Sequence, residues 1–154
     1  MIQRALCVVL VLLAACGGGA ASRTPKVTPT VSSEQAVEQF MKAVADSNLV
    51  KMAGLWGSAR GSALETGQPV DYQRRIVVIQ AYLRGATARV TSADPAGAGV
   101  DHRLVNVELR RDQCVKVVPF ETAKAPSGNW IITSVDLAAA GTPGRACSPE
   151  SAAQ

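Results

Sequence analysis

The hydrophobic period of this chain changes once, at Gly85, and that change confines the fold class. Before it, apolar residues recur every three to four positions. Ser32 with Gln35 matches a capping box, and Val37, Phe40, Met41 and Val44 then form one apolar stripe, with Glu38, Gln39 and Lys42 on the other side. The pattern predicts an amphipathic helix to about Ala45. Asp46-Ser47-Asn48 breaks it and caps a second helix carrying Leu49, Met52, Ala53 and Trp56, which stops at Gly57. Residues 57–69 are rich in Gly, Ser and Pro at irregular spacing and read as a loop. Asp71 opens a third helix with Tyr72, Ile76, Ile79 and Leu83 on one stripe and Gly85 as its stop, although Ile76 to Ile79 is also strand-like.

After Gly85 the period is two. Ala86 to Ser92 reads as a strand, followed by a turn around Asp94-Pro95-Ala96-Gly97. From Arg103 to Arg111, Val105, Val107 and Leu109 point one way and Asn106, Glu108 and Arg110 the other, the alternation of an antiparallel strand with one wet face. Asp112-Gln113 turns the chain into Cys114 to Phe120, and the loop 125–129 leads into a last strand from Trp130 to Leu137. Helices first and strands afterwards predict an α+β domain over residues 32–140, with N-terminal helices packed on a curved four-stranded antiparallel sheet. Only 4% of residues are aromatic, so its core must rest on Val, Ile, Leu, Ala and Met. Residues 141–154 read as a small-residue tail.

The N-terminus carries an address. Arg4 precedes an apolar run from Ala5 to Ala15, the layout of a secretory signal. The run is shorter than the roughly 20 residues of a spanning helix. Leu13-Ala14-Ala15-Cys16 at its end resembles the lipobox of bacterial lipoproteins. That resemblance implies a signal peptide over residues 1–15, cleavage between Ala15 and Cys16, and acylation of Cys16, which tethers the body to a membrane. The alternative is a plain secreted protein in which Cys16 is incidental. Residues 16–31, rich in Gly, Ala, Ser, Thr and Pro, read as a flexible linker. The expected location is the extracytoplasmic face of a membrane. In a Gram-negative cell, Gly17 after the cysteine favours the outer membrane.

Charge and cysteine usage exclude several function classes. Loss of residues 1–15 removes Arg4 alone and leaves 15 basic against 12 acidic residues. The surplus is dispersed, with Arg74-Arg75 and Arg110-Arg111 the densest pairs, so no nucleic-acid partner is expected. Cys7 leaves with the signal and Cys16 carries lipid. Cys114 and Cys147 remain, and in an oxidising compartment they read as one disulfide, with two free thiols as the alternative. A covalent tie would also hold a tail with little to fold on. No metal site is expected, because two thiolates need further ligands and the chain has a single histidine, His102. No cofactor is expected either.

The order of elements, with Phe40, Asp46, Leu55-Trp56 and Trp130-Ile131-Ile132, resembles the nuclear transport factor 2-like superfamily, which includes ketosteroid isomerase-like and lipoprotein members, over about residues 33–137, with cystatin-like proteins, one helix across a sheet, as the nearest alternative. The resemblance implies a cone with a pocket between the first helix and the concave sheet face, with Phe40, Met41, Trp56, Tyr72, Val105 and Val107 as candidate lining residues. Phe40 and Trp56 lie on apolar stripes and are expected in the core rather than on a ligand. The isomerases place a tyrosine on the first helix, where this chain has Phe40, and no Asp-Pro follows the second helix at the spacing of their base. A hydrolytic triad needs an imidazole, and His102 follows Asp101 at a turn, a solvated position. Asp71 reads as a helix cap and Cys114 as half of a disulfide.

Three functions follow as expectations. The first is a non-catalytic envelope lipoprotein that binds a partner protein or a small apolar ligand. The second is a small isomerase, lyase or hydrolase using the cone pocket, and the third a structural or assembly accessory. An enzyme needs polar side chains converging inside the cone, and a small-ligand binder needs an open apolar pocket. An accessory has a filled cone and a patch outside.

Overall fold

The structure, a computed structural model, describes residues 28–97 and 99–143. The signal 1–15, Cys16, most of the linker and Cys147 lie outside the described residues. The fold is α+β, with helices α1 (Ser33–Ala45), α2 (Leu49–Leu55), α3 (Ala63–Thr66), α4 (Tyr72–Leu83) and α5 (Leu137–Ala140). A two-stranded ribbon pairs β1 (Gly57–Ser58) with β2 (Gly61–Ser62). The main sheet is an antiparallel meander of β3 (Thr87–Pro95), β4 (His102–Arg111), β5 (Cys114–Lys124) and β6 (Trp130–Val135). Among the described residues no helix is long and apolar enough to cross a membrane.

Helix α1 begins where the capping signal puts it, but the box closes differently. The Ser32 hydroxyl accepts from the Gln35 N–H, while the Gln35 side chain accepts from the Val31 N–H, one residue earlier than in a reciprocal box. In the same first turn, Glu34 has its carboxyl held below the ordinary 4.5. Its own backbone N–H contributes most, then the Ser33 hydroxyl, with burial opposing and Ser32 and Arg103 adding smaller help. The buried stripe of α1 lies against all four strands of the sheet. There Val105, Val107, Leu109, Val118, Phe120 and Ile132 form the facing layer. Phe40 meets Phe120 edge-to-face, with ring centroids 6.4 Å apart at 74°, and both rings are 0% exposed.

Several expectations need correction. The stretch 57–69 is not a plain loop. It holds the ribbon and α3, whose start is a full capping box between Ser62 and Glu65. The Gly and Ser breakers there serve tight turns and caps. Asp71 occupies the cap position of α4 but makes no capping bond, because its carboxylate pairs with Arg75 at 3.0 Å. β3 runs three residues past Ser92, and β5 runs to Lys124 instead of ending at Phe120, since Pro119 is accommodated without ending the ladder. Extra residues at Thr91 and Thr133 shift the register of β3 and β6. Leu137 leaves the sheet and starts α5.

The ends of the body are anchored by named bonds. Thr30, assigned to the linker by composition, is 2% exposed and belongs to the body. Its hydroxyl donates to Trp130 O at 2.7 Å, and its carbonyl accepts from Trp130 N–H. At the other end, the Arg111 guanidinium donates to the carbonyls of Tyr82, Arg84 (3.4 Å) and Ala140 (3.3 Å), tying the ends of α4 and α5 to the β4–β5 hairpin. Asp136 caps α5 through the Ala139 N–H. Residues 137–140 are thus held in part by hydrogen bonds and packing. Cys114 itself is disulfide-bonded.

Phe40→Ala removes one half of the ring pair from a fully buried site with no room to collapse. It is expected to cost about 3–5 kcal/mol in chemical denaturation. A loss below about 1 kcal/mol would contradict that burial.

Candidate functional site

The six candidate pocket residues lie in or against the buried core, and only Trp56 among them lines either the cleft on the sheet or the one beside α4. Phe40, Met41, Trp56, Val105 and Val107 belong to one buried cluster, and Tyr72 packs half-buried against it. The level at which a cone would open between α1 and the sheet is occupied by the Phe40 and Phe120 rings and the valines of β4. His102 is exposed at the start of β4, and Asp71 is engaged with Arg75. Among the described residues no group of three or more His, Cys, Asp or Glu is placed to hold a metal ion.

Clefts among the described residues include one on the sheet and one beside α4. The first, of about 290 Å³, lies at Thr87, Ala88, Arg89, Glu108 and Arg110. There the single Glu108 carboxylate accepts from both Arg89 and Arg110 at 3.4 Å. The same sheet face exposes Val115 and Val117 on β5.

The second cleft is larger, about 420 Å³, and runs between α4 and the free edge of β6. The helix contributes Arg74, Arg75 and Val78, with Asp71 at its cap. Trp56, Ile79 and Leu137 line the apolar part, and Thr133, Ser134 and Val135 form the opposite wall. Trp56 is the one pocket candidate that lines this groove, while remaining 7% exposed. Among the described residues Arg74 has no ion-pair or hydrogen-bond partner, whereas its neighbour Arg75 has Asp71.

The strand wall is partly closed by the chain itself. At the start of β6, Thr30 bonds to Trp130. Two residues on, Trp56 bridges to Ile132 in parallel. Beyond that point β1 runs close beside β6, although the two strands form no ladder. Val135 faces Phe120, while the Asp136 N–H donates to Pro119 O at 3.0 Å. Val135 therefore sits in a non-hydrogen-bonded pair, and its own N–H and C=O point away from β5 toward the groove.

Sequence reasoning does not single out Arg74, Arg75 and the β6 edge as a site. The Arg74-Arg75 pair is visible there only as one of the two densest basic spots. That it faces an open strand edge depends on the path of residues 57–71, most of which the residue pattern presents as a loop. Comparisons with protein-family models, with curated proteins and with solved structures return no match.

Gly57 holds Trp56 in place. A Cβ at Gly57 would stand 2.4 Å from Gly61 O and 2.7 Å from Ala63 N, both backbone atoms that cannot step aside. Gly57→Ala is expected to separate β1 from β2, move Trp56 and lower stability by about 1–3 kcal/mol, as overpacking does. The measurement is chemical denaturation followed by tryptophan fluorescence. An unchanged midpoint and emission maximum would contradict it.

Proposed function

We propose that this chain is a non-catalytic envelope lipoprotein, tethered to the extracytoplasmic face of a membrane through acylated Cys16, whose body binds a partner protein. The body is read as a nuclear transport factor 2-like cone in which α1 lies across a four-stranded meander. The observation that carries the reading is the filled helix–sheet interface. With Phe40 and Phe120 wholly buried against each other, a small apolar ligand has no place at that level, and recognition moves to the outer surface. A catalytic cone would need polar groups converging where Val105, Val107 and the two rings now stand.

Two further observations support the envelope location. Cys114 is disulfide-bonded, as expected for a protein in an oxidising compartment. Thr30 fastens the start of the body to β6, and the linker expected over residues 16–31 would end at it. A structural or assembly accessory is the second reading, favoured by the apolar patch of Val115 and Val117 on the open sheet face.

Cys16→Ser is expected to abolish labelling by radioactive palmitate and to release the protein from the membrane fraction. Labelling that persists in the variant would contradict the anchor. Photo-cross-linkers placed at Val78 and at Val117 in intact cells test the body. The expected result is a discrete protein adduct from at least one position, and silence at both contradicts partner binding.

A further inference from the structure

The edge of β6 is dealt with in three successive ways, and the third is incomplete. Thr30 covers Trp130 and Trp56 covers Ile132, in each case with backbone from elsewhere in the chain. Beyond Ile132, β1 lies close to β6 without forming a ladder with it, and Thr133, Ser134 and Val135 line a groove of about 420 Å³. Proteins usually blunt a free edge with charge, proline or a covering element, because it is a template for adding another strand. Here the open segment, Thr133-Ser134-Val135, carries neither charge nor proline. The wall opposite stands off and presents guanidinium groups.

We infer that the groove between α4 and β6 takes an extended, acidic peptide segment of a partner protein. The segment adds as a strand to β6 at Val135 and sets a carboxylate on Arg74. Strand addition supplies main-chain hydrogen bonds, and pockets for alternate side chains supply selectivity. The Val135 N–H and C=O are aimed outward, free to make those bonds. The apolar lining of Trp56, Ile79 and Leu137 suits side chains on one face of such a strand. Charge complementarity decides the partner's sign. Asp71 is neutralised by Arg75, which leaves Arg74 as the unmatched charge of the groove, and a guanidinium with no acid beside it favours a carboxylate. In the sheet-face cleft both Arg89 and Arg110 share the Glu108 carboxylate, so neither guanidinium stands without an acid beside it as Arg74 does.

This inference rests on the reading of the body as a partner-binding module and gives that module a site and a ligand class. The test uses the full chain purified in mild detergent and a fluorescein-labelled short peptide of alternating valine and glutamate, followed by fluorescence anisotropy. Saturable binding is expected, with affinity falling roughly tenfold or more when glutamine replaces glutamate in the peptide, the scale of a lost charge-assisted hydrogen bond. Arg74→Glu, an exposed substitution that leaves the core untouched, should cause a similar loss, while Arg89→Glu in the other cleft should leave binding unchanged. Methylating alternate peptide amides should also weaken binding, because it removes main-chain donors to β6.

Equal affinity for the glutamine peptide, indifference to Arg74→Glu, or tolerance of amide methylation would each overturn the assignment. So would absence of peptide binding combined with Arg74-dependent binding to phosphatidylglycerol vesicles, which would make the groove a lipid site. A partner cross-linked through Val117, with the groove silent to the peptide, overturns the groove assignment and leaves the partner-binding reading standing.

Discussion

Everything else in this body depends on the contact of Phe40 with Phe120. It joins the middle of α1 to the second-last strand, and both rings are sealed from solvent. In a chain so poor in aromatics, one edge-to-face pair carries an outsized share of the core, about 0.5–1.5 kcal/mol beyond the area it buries. Because α1 also touches β3, β4 and β6, seating Phe40 sets the helix across the whole sheet. The same contact that makes the fold possible takes up the space a ligand pocket would need. The proposed partner binding is therefore assigned to the outer surface, at the open sheet face and the edge of β6.

That edge connects fold to function. A meander leaves two edge strands, and β6 is sheltered only where other parts of the chain reach it. Thr30 does so on entry to α1 and Trp56 on exit from α2, each fixed by turn chemistry: a Ser32 cap in the first case and the ribbon packed over Gly57 in the second. Arg111 then secures the far side by gathering carbonyls from both α4 and α5. These ties hold α4 beside β6 with an open groove between them. The basic pair at Arg74-Arg75 lies on the helix wall of that groove because Ile76 and Ile79 are committed to the core.

Much of this architecture is legible in the residues. The stripes of α1 and α4, the Asn48 cap of α2 and the alternation of β4 follow from period and capping alone, and the structure has them at those positions. The ribbon and α3 are hidden because Gly57, Gly61 and Gly67 signal turns equally well in a loop or in a tight supersecondary unit. The Ser62–Glu65 box is the signal that distinguishes them. Thr30 resembles linker since a single buried hydroxyl leaves no trace in composition. The candidate site is less legible still. Phe40, Val105 and Val107 qualify for a core or for a pocket wall by the same apolar pattern, and only three-dimensional packing separates the two. An open strand edge has no sequence signature at all, since it is defined by which neighbour is missing.

The central claim is that the space between α1 and the sheet is closed. Xenon titration of the methyl-labelled protein by nuclear magnetic resonance addresses it directly, because xenon enters apolar cavities without needing a polar handle. The methyl signals of Val105, Val107, Val118 and Ile132 report on that space. A closed interface predicts no saturable shift at any of them up to several atmospheres of gas. A saturable shift confined to these methyls would show an open interior cavity and contradict it.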